Sequence, residues 1–324
     1  MTVIRLGILG AGIMGRRIAA AAVDTGRFDV TSVADANLDR ATELSGAYGA
    51  AGYRTMEELF DGPRIDAVYI GLPHHLHLPA CLAAARSGVH VLVDKPLCNT
   101  QDEADQIDAA AAHSAKVWMV GFSYRFRSEW RRAHEAVKSG AIGKPYFVSD
   151  VVVEAYRTTP TWYWDLAAGG GTLQLQSHHA FDRIGWLLDS RPSRVACQVV
   201  QLPSGADKSA QISAEYANGA AAGISLSFGL SYNAAPRTLF VVQGESGMIH
   251  IDESRTLHIA TADGATTEDH SADDWLRREL AEFAEAVDGT VTGYPSITDG
   301  VDALRCALAA ARAVRLHSWV VPGE

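Results

Sequence analysis

At 324 residues the chain is too long for one ordinary hydrophobic core, so two domains are expected. Its 48% hydrophobic and 20% charged residues are those of an ordinary soluble globular protein. A formal net charge of −10, with no basic run longer than Arg131-Arg132, argues against nucleic acid or an anionic membrane surface as the main partner.

Four cysteines (Cys81, Cys98, Cys197, Cys306) lie far apart without a Cys-x-x-Cys. Neither a disulfide frame nor a zinc site is expected, and a reducing compartment, the cytoplasm, fits. Arg16-Arg17 ahead of an apolar run has the outline of a twin-arginine export signal, but Asp24 ends the run and a glycine-rich turn precedes it. It reads as a helix face. No run reaches the ~18 apolar residues of a membrane span.

Residues 3–9 read as an apolar strand, followed at once by Gly10-Ala11-Gly12-Ile13-Met14-Gly15 and an alanine-rich helix over 17–23. This is Gly-x-Gly-x-x-Gly in its required setting, strand before and helix after. The first glycine makes the tight turn and the second lets backbone approach a pyrophosphate. The third lets helix pack on strand, with the helix N-terminus facing the phosphates. A second strand over 30–34 ends at Asp35, roughly 20 residues on, where an acidic side chain binds the ribose hydroxyls of NAD and repels a 2′-phosphate. Ala36 and Asn37 follow with no basic partner for that phosphate. Arg40 either packs on adenine or makes NADP the alternative cofactor. Asp35 also reads as an N-cap for a helix over 38–49.

Alternation continues. Thr55-Met56-Glu57-Glu58 is a capping box. Strands over 66–72, 89–93 and 116–121 alternate with helices over 78–87 and 104–113, which implies a doubly wound parallel sheet. In such sheets ligands sit beyond the carboxyl ends of the strands. Leu72, Pro73, His74 and His77 occupy one such end, as cofactor contacts or helix caps. No carboxylate or cysteine joins the three close histidines, and no metal site is expected. The run Val89-His90-Val91-Leu92-Val93 ends in Asp94-Lys95-Pro96, where proline stops the strand and Lys95 emerges on the ligand side.

From residue 146 the pattern changes. Strands are expected over 146–156, 195–202, 210–216, 221–230, 238–243 and 247–251, with a helix over 172–188 between the first two. Together they make an open, mostly antiparallel sheet with flanking helices. Helices over 275–287 and 299–316, the second behind Thr298 as N-cap, close the chain. The domains divide as 1–121, a Rossmann dinucleotide-binding domain, and 122–324, a substrate-binding and oligomerisation α/β domain.

These motifs, with Gly140-Ala141-Ile142-Gly143-Lys144-Pro145, Gly169-Gly170-Gly171 to Asp182, and Asp299-Gly300, run in order along most of the chain. The chain resembles the glucose–fructose oxidoreductase, inositol dehydrogenase and MocA (Gfo/Idh/MocA) family. That resemblance implies a Rossmann domain joined to an α/β domain whose open sheet builds homodimers or homotetramers. It also implies NAD or NADP, and a hydride moved to or from one carbon of a sugar, sugar derivative or cyclitol. The family's Glu-Lys-Pro is here Asp94-Lys95-Pro96. Of its Asp, His and Asp after the glycine run, His179 and Asp182 match, while Leu175 stands at the first Asp.

Oxidising a carbinol requires the hydroxyl proton to leave, which suits a base of pKa near 7, and a cation beside the oxygen stabilises the developing alkoxide. His179 is the expected base and Lys95 the cation. Leu175 can neither orient the histidine nor share its proton; Asp182, Gln176 and His178 are candidates to compensate. Tyr124, Arg125, Tyr156, Arg157 and Trp162 are further candidate substrate contacts, the arginines equally solvated residues and the tryptophan equally a packing residue. Two other readings remain open: an NAD-dependent, redox-assisted elimination or glycoside hydrolysis with tightly held cofactor, and a non-catalytic nucleotide-binding regulator.

Overall fold

The computed structural model describes residues 3–154, 160–228 and 237–324. The chain divides into two compact units, Met1–Phe126 with Asp274–Val301, and Arg127–Asp273 with Asp302–Glu324.

In the first unit, β1 (Ile4–Leu9), β2 (Phe28–Ala34), β3 (Ala51–Tyr53), β4 (Ala67–Ile70), β5 (His90–Asp94) and β6 (Trp118–Gly121) form one parallel sheet in the order β3-β2-β1-β4-β5-β6. Helices α1 (Ile13–Asp24), α2 (Leu38–Tyr48), α3 (Met56–Asp61), α4 (His77–Ser87) and α5 (Gln101–Ala112) connect the strands. The central strands are apolar on both faces, as two-sided helix cover demands: Leu6, Ile8, Val91, Leu92 and Val93 are all buried. Strand order reverses between β1 and β4, which fixes the ligand crevice at their carboxyl ends.

Local signals set the boundaries. The capping box at Thr55 and Glu58 is present, and a second, unanticipated one at Thr100 and Glu103 starts α5 three residues before its apolar face begins. The cap of α2 is Asn37, whose side chain accepts from the amides of Asp39 and Arg40. Asp35 therefore does not cap that helix.

The second unit holds α6 (Ser128–Lys138), α7 (Thr172–Leu188), β7 (Pro145–Glu154), β8 (Pro192–Gln201), β9 (Asp207–Tyr216), β10 (Ala221–Phe228), β11 (Arg237–Gly244), β12 (Gly247–Asp252), β13 (Thr256–Thr261) and β14 (Gly264–Asp269). They form an eight-stranded sheet, β14-β13-β12-β11-β7-β10-β9-β8, antiparallel except for the β7–β10 pair. Strict alternation buries one face, with Val148, Ile212, Ile224 and Phe240 inward. Within that core Arg183 of α7 meets Asp150 of β7 through three hydrogen bonds, from Nε to Oδ2 (2.9 Å) and from Nη2 to Oδ1 and Oδ2 (2.5 Å each), with the guanidinium 5.3 Å above the Trp130 ring. Burial pushes the Asp150 carboxyl up while Arg183 pulls it down. The β13–β14 hairpin was not expected; β14 is exposed along nearly its whole length and shows no apolar alternation.

Two helices follow. α8 (Trp275–Val287) packs in the first unit, and α9 (Ile297–Leu316) begins there and ends in the second. The expected boundary after residue 121 thus differs from the observed division, in which residues 274–301 return to the first unit. α9 starts two residues before the expected position: Ser296, not Thr298, stands at its head. Ser296 Oγ accepts from the Asp299 amide (3.4 Å), and Asp299 Oδ2 accepts from the Ser296 amide (2.7 Å).

Candidate active site

The glycine turn shows three separate physical demands. Gly10 has φ +100°, and a Cβ there would lie 2.4 Å from the Gly71 carbonyl oxygen in the loop after β4. A Cβ on Gly15 would lie 1.9 Å from the Gly10 oxygen. Gly12 is different, since a Cβ there meets nothing within 4 Å. Gly12 is also the N-cap of α1, and no side chain caps that end. Two glycines therefore build the turn, and the third opens it toward space in front of a helix N-terminus, which is what a pyrophosphate needs. Ile13 is 74% exposed beside it, while Met14 packs partly against the core.

Asp35 at the end of β2 is held in place. Its Oδ2 accepts from the Ala11 amide (2.8 Å) and its Oδ1 from the Asn37 amide (2.8 Å). The carboxylate is thus tied to the glycine turn and to the start of α2. Ala36 and Arg40 are exposed beside it, and Arg54 donates from Nη1 to the Ala36 carbonyl oxygen (3.4 Å).

The loop after β4 carries Leu72 and Pro73, half-buried, then His74, buried and edge-on to His77 at 5.7 Å. The His77 ring is fully buried: Nε2 lies 2.9 Å from the Leu72 oxygen, and Nδ1 lies 3.0 Å and 3.2 Å from the Pro96 and Leu97 oxygens. Burial pushes its pKa down, against the pull of Asp94 and the three carbonyls. After β5, Asp94 Oδ1 accepts from the Lys95 amide (2.8 Å), and Asp94 Oδ2 accepts from the Tyr69 hydroxyl (3.1 Å). Burial and the neighbouring Asp94 hold the Tyr69 phenol well above its usual range. Lys95 itself is half-buried. All the expected cofactor residues, from Gly10 to Lys95, therefore stand at the carboxyl ends of β1, β2, β4 and β5, along one edge of the sheet.

In the second unit, the glycine run is explained by what it touches. A Cβ on Gly170 would lie 2.4 Å from the Tyr163 oxygen, and one on Gly171 (φ +99°) would lie 2.5 Å from Asp207 Oδ1. Asp207, at the start of β9, accepts from the Leu173 amide (2.5 Å) and so caps α7 from a distant strand. On α7, Leu175, His178 and Asp182 are buried, and His179 is half-buried. Gln176 donates to Glu154 at 3.4 Å. With Leu175 packed inward, position 175 brings no carboxylate to the helix.

Of the remaining candidates, Tyr124 is buried, and Arg125 donates to Asp299 Oδ1 at 2.7 Å. Trp162 packs edge-on to Tyr163, which with Trp164 lies against Phe228. Tyr156 and Arg157 lie outside the described residues. The sequence reading missed Tyr69 and Asp207. Tyr69 sits in an apolar strand as a good strand former, and Asp207 is separated by more than thirty residues from the helix it caps.

Two family models match the chain: an oxidoreductase family with an NAD-binding Rossmann fold over residues 4–122, and the GFO/IDH/MocA C-terminal domain over 130–250. The alignments with two proteins of Rhizobium meliloti, an uncharacterized oxidoreductase and rhizopine catabolism protein MocA (29% and 27% identical), span only 52% and 60% of those chains. An inositol 2-dehydrogenase of Rhizobium meliloti (strain 1021) is 28% identical, over 96% of this chain and 97% of its own. A levoglucosan dehydrogenase, solved with NADH and levoglucosan, shares the fold over 100% of both chains at 22% identity and a TM-score of 0.90. The chain belongs to the GFO/IDH/MocA oxidoreductase family, its NAD-binding Rossmann domain preceding the family's C-terminal domain.

Proposed function

We propose that this chain is an NAD-dependent dehydrogenase or reductase that moves a hydride between a carbinol carbon of a cyclic polyol or sugar and nicotinamide. The observation that carries the reading is the open space before Gly12 at an uncapped helix N-terminus, beside the fixed Asp35 carboxylate. Bound NAD supplies a two-electron hydride acceptor that no side chain can provide. Asp35 accepts hydrogen bonds from the adenosine ribose and repels a 2′-phosphate, favouring NAD over NADP. The Lys95 ammonium stabilises charge growing on the substrate oxygen, and His179 takes the hydroxyl proton at an imidazole nitrogen. The full-length match to an inositol dehydrogenase supports a cyclitol or cyclic sugar as substrate. The same reading makes the chain a homo-oligomer through the open sheet face, where Phe147, Leu239 and Met248 are 44%, 40% and 41% exposed.

The test is NADH formation against a panel that includes inositol, levoglucosan and other cyclic polyols. Turnover with at least one is expected. Lys95→Ala and His179→Ala should each lower kcat by about 10²-fold or more while NAD still binds. Bound NAD with no turnover on any polyol or keto-sugar would overturn the reading, and cleavage of a glycoside without net NADH would favour redox-assisted elimination.

A further inference from the structure

The segment that delivers Lys95 is met on both sides by two buried side chains, Tyr69 and His77. On its near side, the Tyr69 hydroxyl donates to Asp94 Oδ2 (3.1 Å), while Asp94 Oδ1 accepts from the Lys95 amide (2.8 Å). On its far side, His77 Nδ1 lies 3.0 Å and 3.2 Å from the oxygens of Pro96 and Leu97, and Nε2 lies 2.9 Å from that of Leu72. Tyr69 belongs to β4 and Leu72 to the loop after it, and β4 is the direct neighbour of β5 in the sheet. The fixed reference for both contacts is therefore the adjacent strand.

Every acceptor around His77 is a main-chain carbonyl, which only accepts, so any hydrogen bond here has the ring donating. A neutral ring, which burial favours, donates to one loop and holds the other by packing, while an imidazolium, which Asp94 and the three carbonyls favour, donates to both. Charged and titratable groups that face it include Asp94, which raises its pKa, and His74, edge-on at 5.7 Å, with Tyr69 reaching Asp94 from the other side.

We infer that His77 and Tyr69 are positioning residues for Lys95: they fix the backbone at 94 and at 96–97 to the neighbouring strand, so that the ammonium emerges at one place. The inference rests on the assignment of Lys95 as the cation beside the substrate oxygen. It follows from the chemistry that a reacting group displaced by about 1 Å loses ~10²-fold in rate. It also makes sense of Asp94 in this chain, because a one-carbon-shorter carboxylate stays near its own strand, where the Tyr69 hydroxyl meets it.

The test compares Tyr69→Phe, which removes one hydroxyl and keeps the ring, with His77→Asn and His77→Phe, alone and combined with Lys95→Ala. Tyr69→Phe should lower kcat about 3- to 10-fold and His77→Phe about 10- to 100-fold, with His77→Asn between wild type and the phenylalanine variant. In Tyr69→Phe, whose side chain is no cofactor contact, the dissociation constant for NAD, read by protein fluorescence, should change less than about twofold, a split that general loosening of the fold would not give. In the Lys95→Ala background the same substitutions should cost nothing further. Independent, multiplying losses in the double variants overturn the inference while leaving Lys95 in place. A fully active Lys95→Ala removes the Lys95 assignment itself, and the inference with it. If His77→Phe does not fold, Tyr69→Phe and its double variant decide the question alone.

Discussion

Gly12 and Gly15 look interchangeable in the motif but face opposite surroundings. A methyl on Gly15 would run into the backbone oxygen of Gly10, which cannot swing away as a side chain could. A methyl on Gly12 meets nothing in the protein within 4 Å. Gly15→Ala should thus lose about 1–3 kcal/mol of stability or more, read by urea denaturation. Gly12→Ala should unfold at nearly the wild-type midpoint yet lose NAD affinity, read by titration. Equal effects on stability would mean that the space before Gly12 is not a binding space. At this scale the sequence was most legible where one short segment carries the whole demand, as in residues 10–15. It was ambiguous at Asp35, which by position alone could cap α2; the structure gives that task to Asn37 and leaves Asp35 tying two backbone segments together. Tyr69 was not legible, because the only sign of its role is a carboxylate on the next strand of the sheet, 25 residues later.

Helix α7 shows how far an element can depend on residues outside itself. Its N-terminus follows Gly171 with no side-chain cap of its own, and the amide of Leu173 is met by Asp207. Asp207→Ala should cost about 1–2 kcal/mol, the usual loss for an N-cap, and His179 on that helix should lose activity with it. Burial pushes the Asp207 carboxyl up from its ordinary range. A carboxyl whose folded pKa is raised binds its proton more tightly when folded, so its contribution to stability is largest at acid pH and falls as pH rises through that raised value. Asp207→Asn keeps an acceptor and has no charge to bury. The variant's urea midpoint should therefore improve relative to wild type as pH rises from about 4 to about 7; a constant difference would remove the burial argument. Elements were legible in the sequence when their cap, period and boundary lay together, as in α3 with its capping box. The β13–β14 hairpin was not, because β14 has almost no buried face and so no alternation to read.

The chain as a whole is not two segments laid end to end. α8 comes from the far end of the sequence, yet Leu276, Leu280, Phe283 and Ala284 lie in the same core cluster as Ile4, Leu6, Ile18 and Phe28. The rings of Phe28 and Phe283 stack with centroids 6.1 Å apart, and Arg27 pairs with Asp288 at 2.7 Å. None of this is written in the pattern of residues 275–287, which shows an amphipathic helix without saying which of two cores its apolar stripe enters. A boundary drawn where strand–helix alternation stops therefore omits part of the first core. Losing a single buried leucine or phenylalanine side chain costs about 2–5 kcal/mol, against about 5–15 kcal/mol for a whole domain. Removing Leu280 and Phe283 together, both fully buried, uses up that margin. A fragment ending at Phe126 should accordingly lack a cooperative thermal transition and the near-ultraviolet signature of fixed aromatic packing, even with its sheet sequences complete. The same fragment joined through a flexible linker to residues 274–301 should recover both. It should also bind NAD, since every proposed cofactor residue lies at or before Lys95. Cooperative melting of the shorter fragment would show that the parallel sheet closes its own core, and that α8 only covers a surface already formed.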